Sequence, residues 1–274
     1  MRIAVTGGNG DMGRSLIPYL IEQDHTVVSI DRALPSTHMA KVNFLTADTR
    51  DFGQFIASIR GCDALVHLAA IRAPGNYPDP VVYADNTVGS YNALSAASAL
   101  GIKRVCLASS INAIGGAFSR APRYDYFPVD ESHSTYTEDP YSLSKWVLEQ
   151  QADSFARRYE WMTIASLRFH WLLDSRETAV KYTANLGDVA VRHLWAYSLL
   201  NECNRAILLS ITAEFSGHEV FYITAPQTAT SESSPDLAHR YYPSTEVRGD
   251  FSGNDSFFNC SKAAHILGWT HKEN

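Results

Sequence analysis

A doubly wound α/β fold, in which helices cover both faces of a parallel sheet, is predicted by three features of the 274-residue sequence. Strand-like apolar runs alternate with helical patterns along the first two thirds of the chain. The first strand runs directly into a glycine-rich turn that opens a helix. A later run, Cys62 to Ala70, is apolar nearly throughout, as a strand buried on both faces must be.

Met1 to Thr6 forms the first strand, Gly7-Gly8-Asn9-Gly10-Asp11-Met12-Gly13 the turn, and Arg14 to Glu22 the body of the first helix. Gly7 lets the chain turn tightly, Gly10 lets a backbone approach a pyrophosphate, and Gly13 lets helix and strand pack closely. The first helical turn, with Asp11 and Met12, then offers unpaired N–H groups to an anion. This order of strand, glycine turn and helix is the context a dinucleotide site requires. His25 to Ile30 is a β-branched strand ending in Asp31-Arg32. An acidic residue about twenty positions beyond the glycines grips a ribose 2′-hydroxyl and repels a 2′-phosphate, so Asp31 points to NAD. Arg32, a neighbouring guanidinium, leaves NADP as the alternative.

Val42 to Ala47 is a third strand, and the Asp48-Thr49-Arg50-Asp51 segment can cap the next helix. Asp48 and Thr49 would lie beside an adenine in such a sheet. In the fourth strand, His67 reads as a hydrogen-bonded core residue, while Leu68, Ala69 and the small Ala70 leave room for the cofactor. Pro78 to Leu100 reads as a helix packed through Val81, Val88, Tyr91, Leu94, Ala97 and Leu100, with Asn86 a polar residue within it; the spacing leaves open whether Asn86 faces solvent. Arg104 to Ala108 is the fifth strand and delivers Ser109 and Ser110 to the C-terminal edge, where open α/β sheets bind ligands. Residues 111–138 lack periodicity, as a binding loop or a disordered one would.

Asp139 and Pro140 signal the start of a long helix from Tyr141 to about Tyr159. Tyr141 and Lys145 stand four apart and share a helix face. A free phenol ionises near pH ~10, too high for a neutral-pH base. A fixed ammonium beside it, together with a positive nicotinamide ring, lowers that value. Ser110 would hold the substrate oxygen while Tyr141 moves its proton.

Composition excludes other classes. With 23 Lys+Arg against 29 Asp+Glu, the net charge of −6 offers no overall attraction to nucleic acid or to anionic membrane. Cys62, Cys106, Cys203 and Cys260 are widely spaced and read as reduced thiols. The expectation is a cytoplasmic protein with no leader and no apolar run of the ~20 residues a membrane span needs. Ten histidines without metal-ligand spacing argue against a metal site.

The glycine turn, His67-Leu68-Ala69-Ala70, Ser109-Ser110 and the Tyr141 to Lys145 pair together resemble the extended short-chain dehydrogenase/reductases of the NAD-dependent epimerase/dehydratase family. Further stretches that look like the family are Asn86-Thr87-Val88-Gly89-Ser90, Phe127 to Glu131 and Ser261 to Trp269. The resemblance implies a Rossmann-type domain over residues 1–170 carrying the catalytic residues. A small substrate lobe over 171–274 would be interleaved with the last sheet elements. It also implies that Asn86 supports a water in a proton relay, and that a homodimer forms through the two long helices. Trp171 stands where many members have Asn, and Glu202 where Asp is common, so the substrate half departs from the pattern. The short chain looks more like uronate dehydrogenases than nucleotide-sugar enzymes, and Ser110-Ile111-Asn112-Ala113 lacks the acidic pair of dehydratases.

The activity expected is hydride transfer between NAD and a secondary alcohol or ketone, for example a sugar or sugar acid. Arg72, Ser110, Ile111, Asn112, His170 and Trp171 are its candidate substrate contacts. Arg72, Arg120, Arg123, Arg168 and Arg176 lie in or near candidate substrate loops, where a guanidinium fork suits a carboxylate, the alternative for most of them being surface solvation. The alternatives are an NAD-dependent sugar or nucleotide-sugar epimerase, which uses the same centre, and a dinucleotide-sensing protein with no catalysis.

Overall fold

The sheet is built from strands whose alternate residues feed two different cores. The computed structural model describes residues 1–36 and 39–272. The elements run β1 (Arg2–Thr6), α1 (Asp11–Glu22), β2 (Thr26–Asp31), β3 (Val42–Thr46), α2 (Phe52–Ser58), β4 (Ala64–His67), α3 (Asp79–Ala99) and β5 (Arg104–Ser110). A short 3-10 turn (Ile111–Ile114) leads to β6 (Tyr126–Phe127), α4 (Pro140–Arg158), β7 (Thr163–Phe169) and β8 (Leu172–Leu173). There follow α5 (Arg176–Ala184), α6 (Asp188–Arg192), β9 (Ser198–Leu199), α7 (Leu200–Thr212) and β10 (Gly217–Ile223). The chain closes with α8 (Ser234–Tyr241), β11 (Glu246–Val247) and α9 (Ser261–Leu267).

Seven strands pair in parallel in the order β10-β7-β5-β4-β1-β2-β3. Ile3 and Val5 point to one face, where Leu16, Leu20, Ile207 and Trp269 from the α1, α7 and α9 side complete a core. Ala4, Val28 and Leu65 point to the other face, against Phe55, Ala93, Leu94 and Leu148 from α2, α3 and α4. This is the period-two alternation of a pleated strand, with both faces covered. After β3 the chain crosses back over β1 to lay down β4. The reversal opens a crevice at the carboxyl ends of β1 and β4, where such sheets bind ligands. A third core, with Tyr124, Phe127, Trp195, Tyr222 and Phe257, lies under the segments beyond β5 and α6.

Two sequence expectations are corrected. The fourth strand stops at His67 rather than Ala70, because the Leu68 and Ala69 N–H groups turn to the hydroxyl of Thr6, 3.1 Å from each, instead of to a strand. The helix α3 is placed as expected and buries Leu94 and Ala97, but Val81, Val88 and Tyr91 are exposed. Its buried residues are mostly small or polar, among them Asn86, Gly89, Ser90, Ala93, Ala96 and Ala97. Small side chains let α3 lie closely against the sheet and α4. An apolar stripe read by spacing alone finds Leu94 and Ala97 on the buried side and misplaces Val81, Val88 and Tyr91.

Candidate active site

The glycine turn is shaped by backbone contacts that leave no room for side chains. Gly7 has φ +68°, and a Cβ on it would come within 2.9 Å of the Ala69 nitrogen. At Gly13 a Cβ would lie 2.5 Å from the Gly7 carbonyl oxygen. Gly10 caps α1 with extended backbone, and a Cβ there would meet only the Gly7 oxygen, at 3.2 Å. Two of the glycines therefore close the turn, and the third leaves its face open. That face borders a cavity of about 1120 Å³ over the crevice.

Asp31 ends β2 at this cavity, where its carboxylate accepts the Asn9 N–H at 2.9 Å and the Arg32 N–H at 2.7 Å. Arg32 reaches toward Asp85, 3.9 Å away. Asp48 is held by the Arg50 guanidinium, which lowers its pKa to about 2, and Thr49 lies beside it on the wall. Leu68, Ala69 and Ala70 form the opposite wall. Arg72 lines the cavity and is tied to Asp11 of α1, holding that carboxyl below its usual range.

The catalytic candidates meet at the far end. The Asp139 carboxylate caps α4 by accepting the Tyr141 and Ser142 N–H groups, each at 2.9 Å. One turn into the helix, Lys145 donates to the Ala108 carbonyl at 2.6 Å and lies 5.7 Å from the centre of the Tyr141 ring. Burial lowers the Lys145 pKa to about 8. Burial raises the Tyr141 phenol above its usual value, opposed by a hydrogen bond with Ser110. The depression of this phenol expected from the sequence is therefore not built into the protein's own charges. Ser110 accepts the Asn112 N–H at 3.1 Å, which closes the turn carrying Ile111 and Asn112 along the cavity.

Asn86 belongs elsewhere. It is buried rather than solvent-facing, and it is not among the residues lining the cavity. Its amide donates to the Ile71 carbonyl at 3.0 Å and to the Ser144 hydroxyl at 2.9 Å, and its Oδ1 accepts the Ile71 N–H at 2.8 Å. Both amide hydrogens are spent on the protein, and the side chain holds Ile71 in place.

Of the five candidate arginines, one reaches the cavity. Arg168 is buried and pairs through two nitrogens with Glu149, at 2.8 and 2.9 Å. Arg123 pairs with Asp125. Arg120, Arg123, Arg168 and Arg176 do not line the cavity, and Arg72 does. His170 and Trp171 line it as expected, joined by Phe118 and His193, which sequence reasoning missed. Both missed residues sit on segments without periodicity, where no local pattern marks a side chain as inward-facing. Thr6 was missed as well. A hydroxyl at the very end of β1, just before the glycines, was its signal.

The family model for the NAD dependent epimerase/dehydratase family matches residues 3–179. One curated relative, the dTDP-6-deoxy-L-talose 4-dehydrogenase (NAD(+)) of Aggregatibacter actinomycetemcomitans, is 26% identical over 176 residues, covering 63% of this chain and 62% of the relative. The chain spans about half the length of other curated relatives it matches. Among solved structures, glucuronic acid dehydrogenase from Chromohalobacter salexigens superimposes with TM-score 0.72 at 20% identity, over 100% of this chain and 85% of that one. UDP-glucose 4-epimerase from Bifidobacterium longum, in complex with NAD+ and UDP, gives TM-score 0.72 at 18% identity, over 100% and 94%. At such identity the structures establish the shared fold. With the family model covering most of the Rossmann-type sheet and the helix that carries Tyr141 and Lys145, the chain belongs to the NAD-dependent epimerase/dehydratase family.

Proposed function

We propose that the protein is an NAD-dependent oxidoreductase of the extended short-chain type, exchanging hydride with a secondary alcohol or its ketone. One observation carries this reading: Ser110, Tyr141 and Lys145 share a single cavity with the glycine turn and Asp31. The residues fit a dinucleotide. The α1 N-terminus and the open face at Gly10 suit a pyrophosphate. Asp31 would take a ribose hydroxyl and favours NAD over NADP, with Asp48 and Thr49 near the adenine. Bound there, NAD supplies the hydride acceptor.

The chain's own groups do the acid–base work. Ser110 orients the substrate oxygen by hydrogen bond, and Tyr141 accepts its proton as the alcohol is oxidised. Lys145, fixed on Ala108, provides the positive charge that opposes the burial cost of a phenolate. Asn112 lines the same end.

The test is Tyr141→Phe. Hydride transfer should fall by roughly 10² to 10⁴, the usual worth of a general acid–base group, while NADH still binds with its fluorescence change. Turnover within a factor of about ten of the parent, one such power being ~1.4 kcal/mol, would remove Tyr141 from this role. Net NADH accumulation under turnover distinguishes oxidation from epimerisation, in which the hydride returns to the substrate.

Two further parts belong to this reading. Tyr83, Val88 and Tyr91 on the outward side of α3 border Val147 of α4, and we assign this exposed apolar patch to a homodimer contact. Sedimentation should show a dimer that Val88→Arg dissociates. The four cysteines are unpaired, in keeping with a cytoplasmic location. No helix among the described residues is long and apolar enough to cross a membrane.

A further inference from the structure

The far wall of the cavity is a continuous run of rings. Phe118 stands edge-on to Tyr141, with centroids 5.7 Å apart, and edge-on to His193 at 6.3 Å. His193 stacks flat on Trp171, 3.8 Å between centroids and 23° between planes, and Trp171 meets Tyr182 edge-on at 5.0 Å. The wall carries no formal charge. The one arginine of the candidate set that lines the cavity, Arg72, is committed to Asp11.

Two histidines in this wall are neutral, and a backbone partner fixes the hydrogen of one of them. The Trp171 backbone N–H donates to His170 Nδ1 at 2.6 Å, so that nitrogen is bare. Burial holds His170 well below the usual histidine range and lowers His193 to about 3, so both rings are neutral. A neutral His170 with a bare Nδ1 carries its hydrogen on Nε2. That atom lies 3.4 Å from His193 Nδ1, and the His193 backbone also hydrogen-bonds this ring. With its hydrogen on Nε2, the neutral His193 has a donor with no protein partner among the described residues.

Resting on the oxidoreductase reading of the cavity, we propose that His193 is a specificity-determining residue. Its Nε2–H donates to an oxygen of an uncharged ring alcohol or ring ketone lying against the Phe118–Trp171 wall. The class is set by what the wall lacks and what it offers. A carboxylate or a nucleoside diphosphate lying against this wall would meet uncharged rings, with Arg72 committed to Asp11, and burying an unpaired anion is costly. A ring presents faces and edges that aromatic side chains cover well, and a second oxygen on it gives the neutral imidazole an acceptor. Losing one such donor from a site built for it is what gives polar specificity its size.

The experiment uses the full-length protein and NAD, with cyclohexanol, the 1,2-, 1,3- and 1,4-cyclohexanediols, D-glucuronate and UDP-glucose as probes. NADH binding is measured first. If NADH does not bind, the oxidoreductase reading fails, independently of the substrate class. With NADH bound, at least one diol should exceed cyclohexanol in kcat/KM by about tenfold, equivalent to ~1.4 kcal/mol, and exceed both anionic probes. In His193→Phe, which keeps a ring in the stack, the diol-to-cyclohexanol ratio should fall to about one. His193→Gln, which restores an N–H donor, should recover part of it. A general loss of folding would lower both alcohols together and leave the ratio standing, and a ratio that stands in His193→Phe overturns the proposal. Preference for glucuronate or UDP-glucose, or no turnover of any neutral probe, overturns it as well.

Discussion

Asn86 pairs with both backbone groups of Ile71, accepting its N–H at 2.8 Å and donating to its carbonyl at 3.0 Å. The same amide donates to Ser144 on α4, so one side chain ties α3, α4 and the segment after β4 together. Ile71 borders the cavity between Ala70 and Arg72. Asn86→Leu keeps the volume but removes all three bonds. Leaving such groups unpaired costs roughly 1–3 kcal/mol, and urea unfolding should show a loss of that size with weaker NADH binding. A loss under about 0.5 kcal/mol, the range of surface changes, would mean that the segment holds itself.

The difference between Asn86 as read and Asn86 as found shows what local pattern can carry. The glycine turn, Asp31 and the Tyr141–Lys145 pair were legible because strand, turn and helix spacing fix their geometry over a few residues. The face of α3 was not. Its orientation depends on the close approach of α4 and the sheet, which rewards Gly89, Ser90 and Ala93 over larger apolar residues. The ion pair of Arg168 was not legible because its partner, Glu149, is distant in sequence and sits on another element. Phe118 and His193 come from irregular segments where only the assembled lobe decides which side chains point inward.

Arg168 and Glu149 form a buried, two-nitrogen ion pair that Ser109 extends by donating to Glu149 at 2.6 Å. Glu149 is one helical turn beyond Lys145, so the pair lies directly behind the proposed centre. Arg168→Met strands a buried carboxylate and should cost about 3–5 kcal/mol. Adding Glu149→Met to it should restore much of that loss, because neither charge then stays unpaired. A denaturation double-mutant cycle checks this, and additive losses in the double variant would contradict it.

Lys145 links stability to pH. Its folded pKa is about 8 because burial opposes the charge, against ~10.4 for a free lysine. Below pH 8 both states hold the proton and this residue gives no slope. Between about 8 and 10.4 the unfolded chain binds more protons than the folded one, so the Lys145 contribution makes stability rise with pH. The gain approaches roughly 3 kcal/mol at ~1.4 kcal/mol per unit. Unfolding free energies of the parent minus those of Lys145→Met, measured from pH 7 to 10.5, should rise over that window. A flat difference would mean that the amine keeps its ordinary pKa.

Gly13 gives the sharpest test of the cofactor site. A Cβ there would lie 2.5 Å from the Gly7 oxygen and 2.7 Å from Gly8 Cα, both backbone atoms that no rotamer change can move. Gly13→Ala must therefore push α1 away from the turn, and the N–H groups of its first residues move with it. Close backbone approach is what a pyrophosphate requires at this point. NADH affinity should drop by at least tenfold, ~1.4 kcal/mol, in a protein that still unfolds cooperatively. Gly53→Ala is the control: it lies in α2, away from the cavity, and a Cβ there meets only the Asp51 side chain, at 3.4 Å. It should leave NADH affinity within a factor of two, since ordinary surface changes stay within ~0.5 kcal/mol. Equal losses at both positions would trace the effect to general destabilisation instead of to the turn.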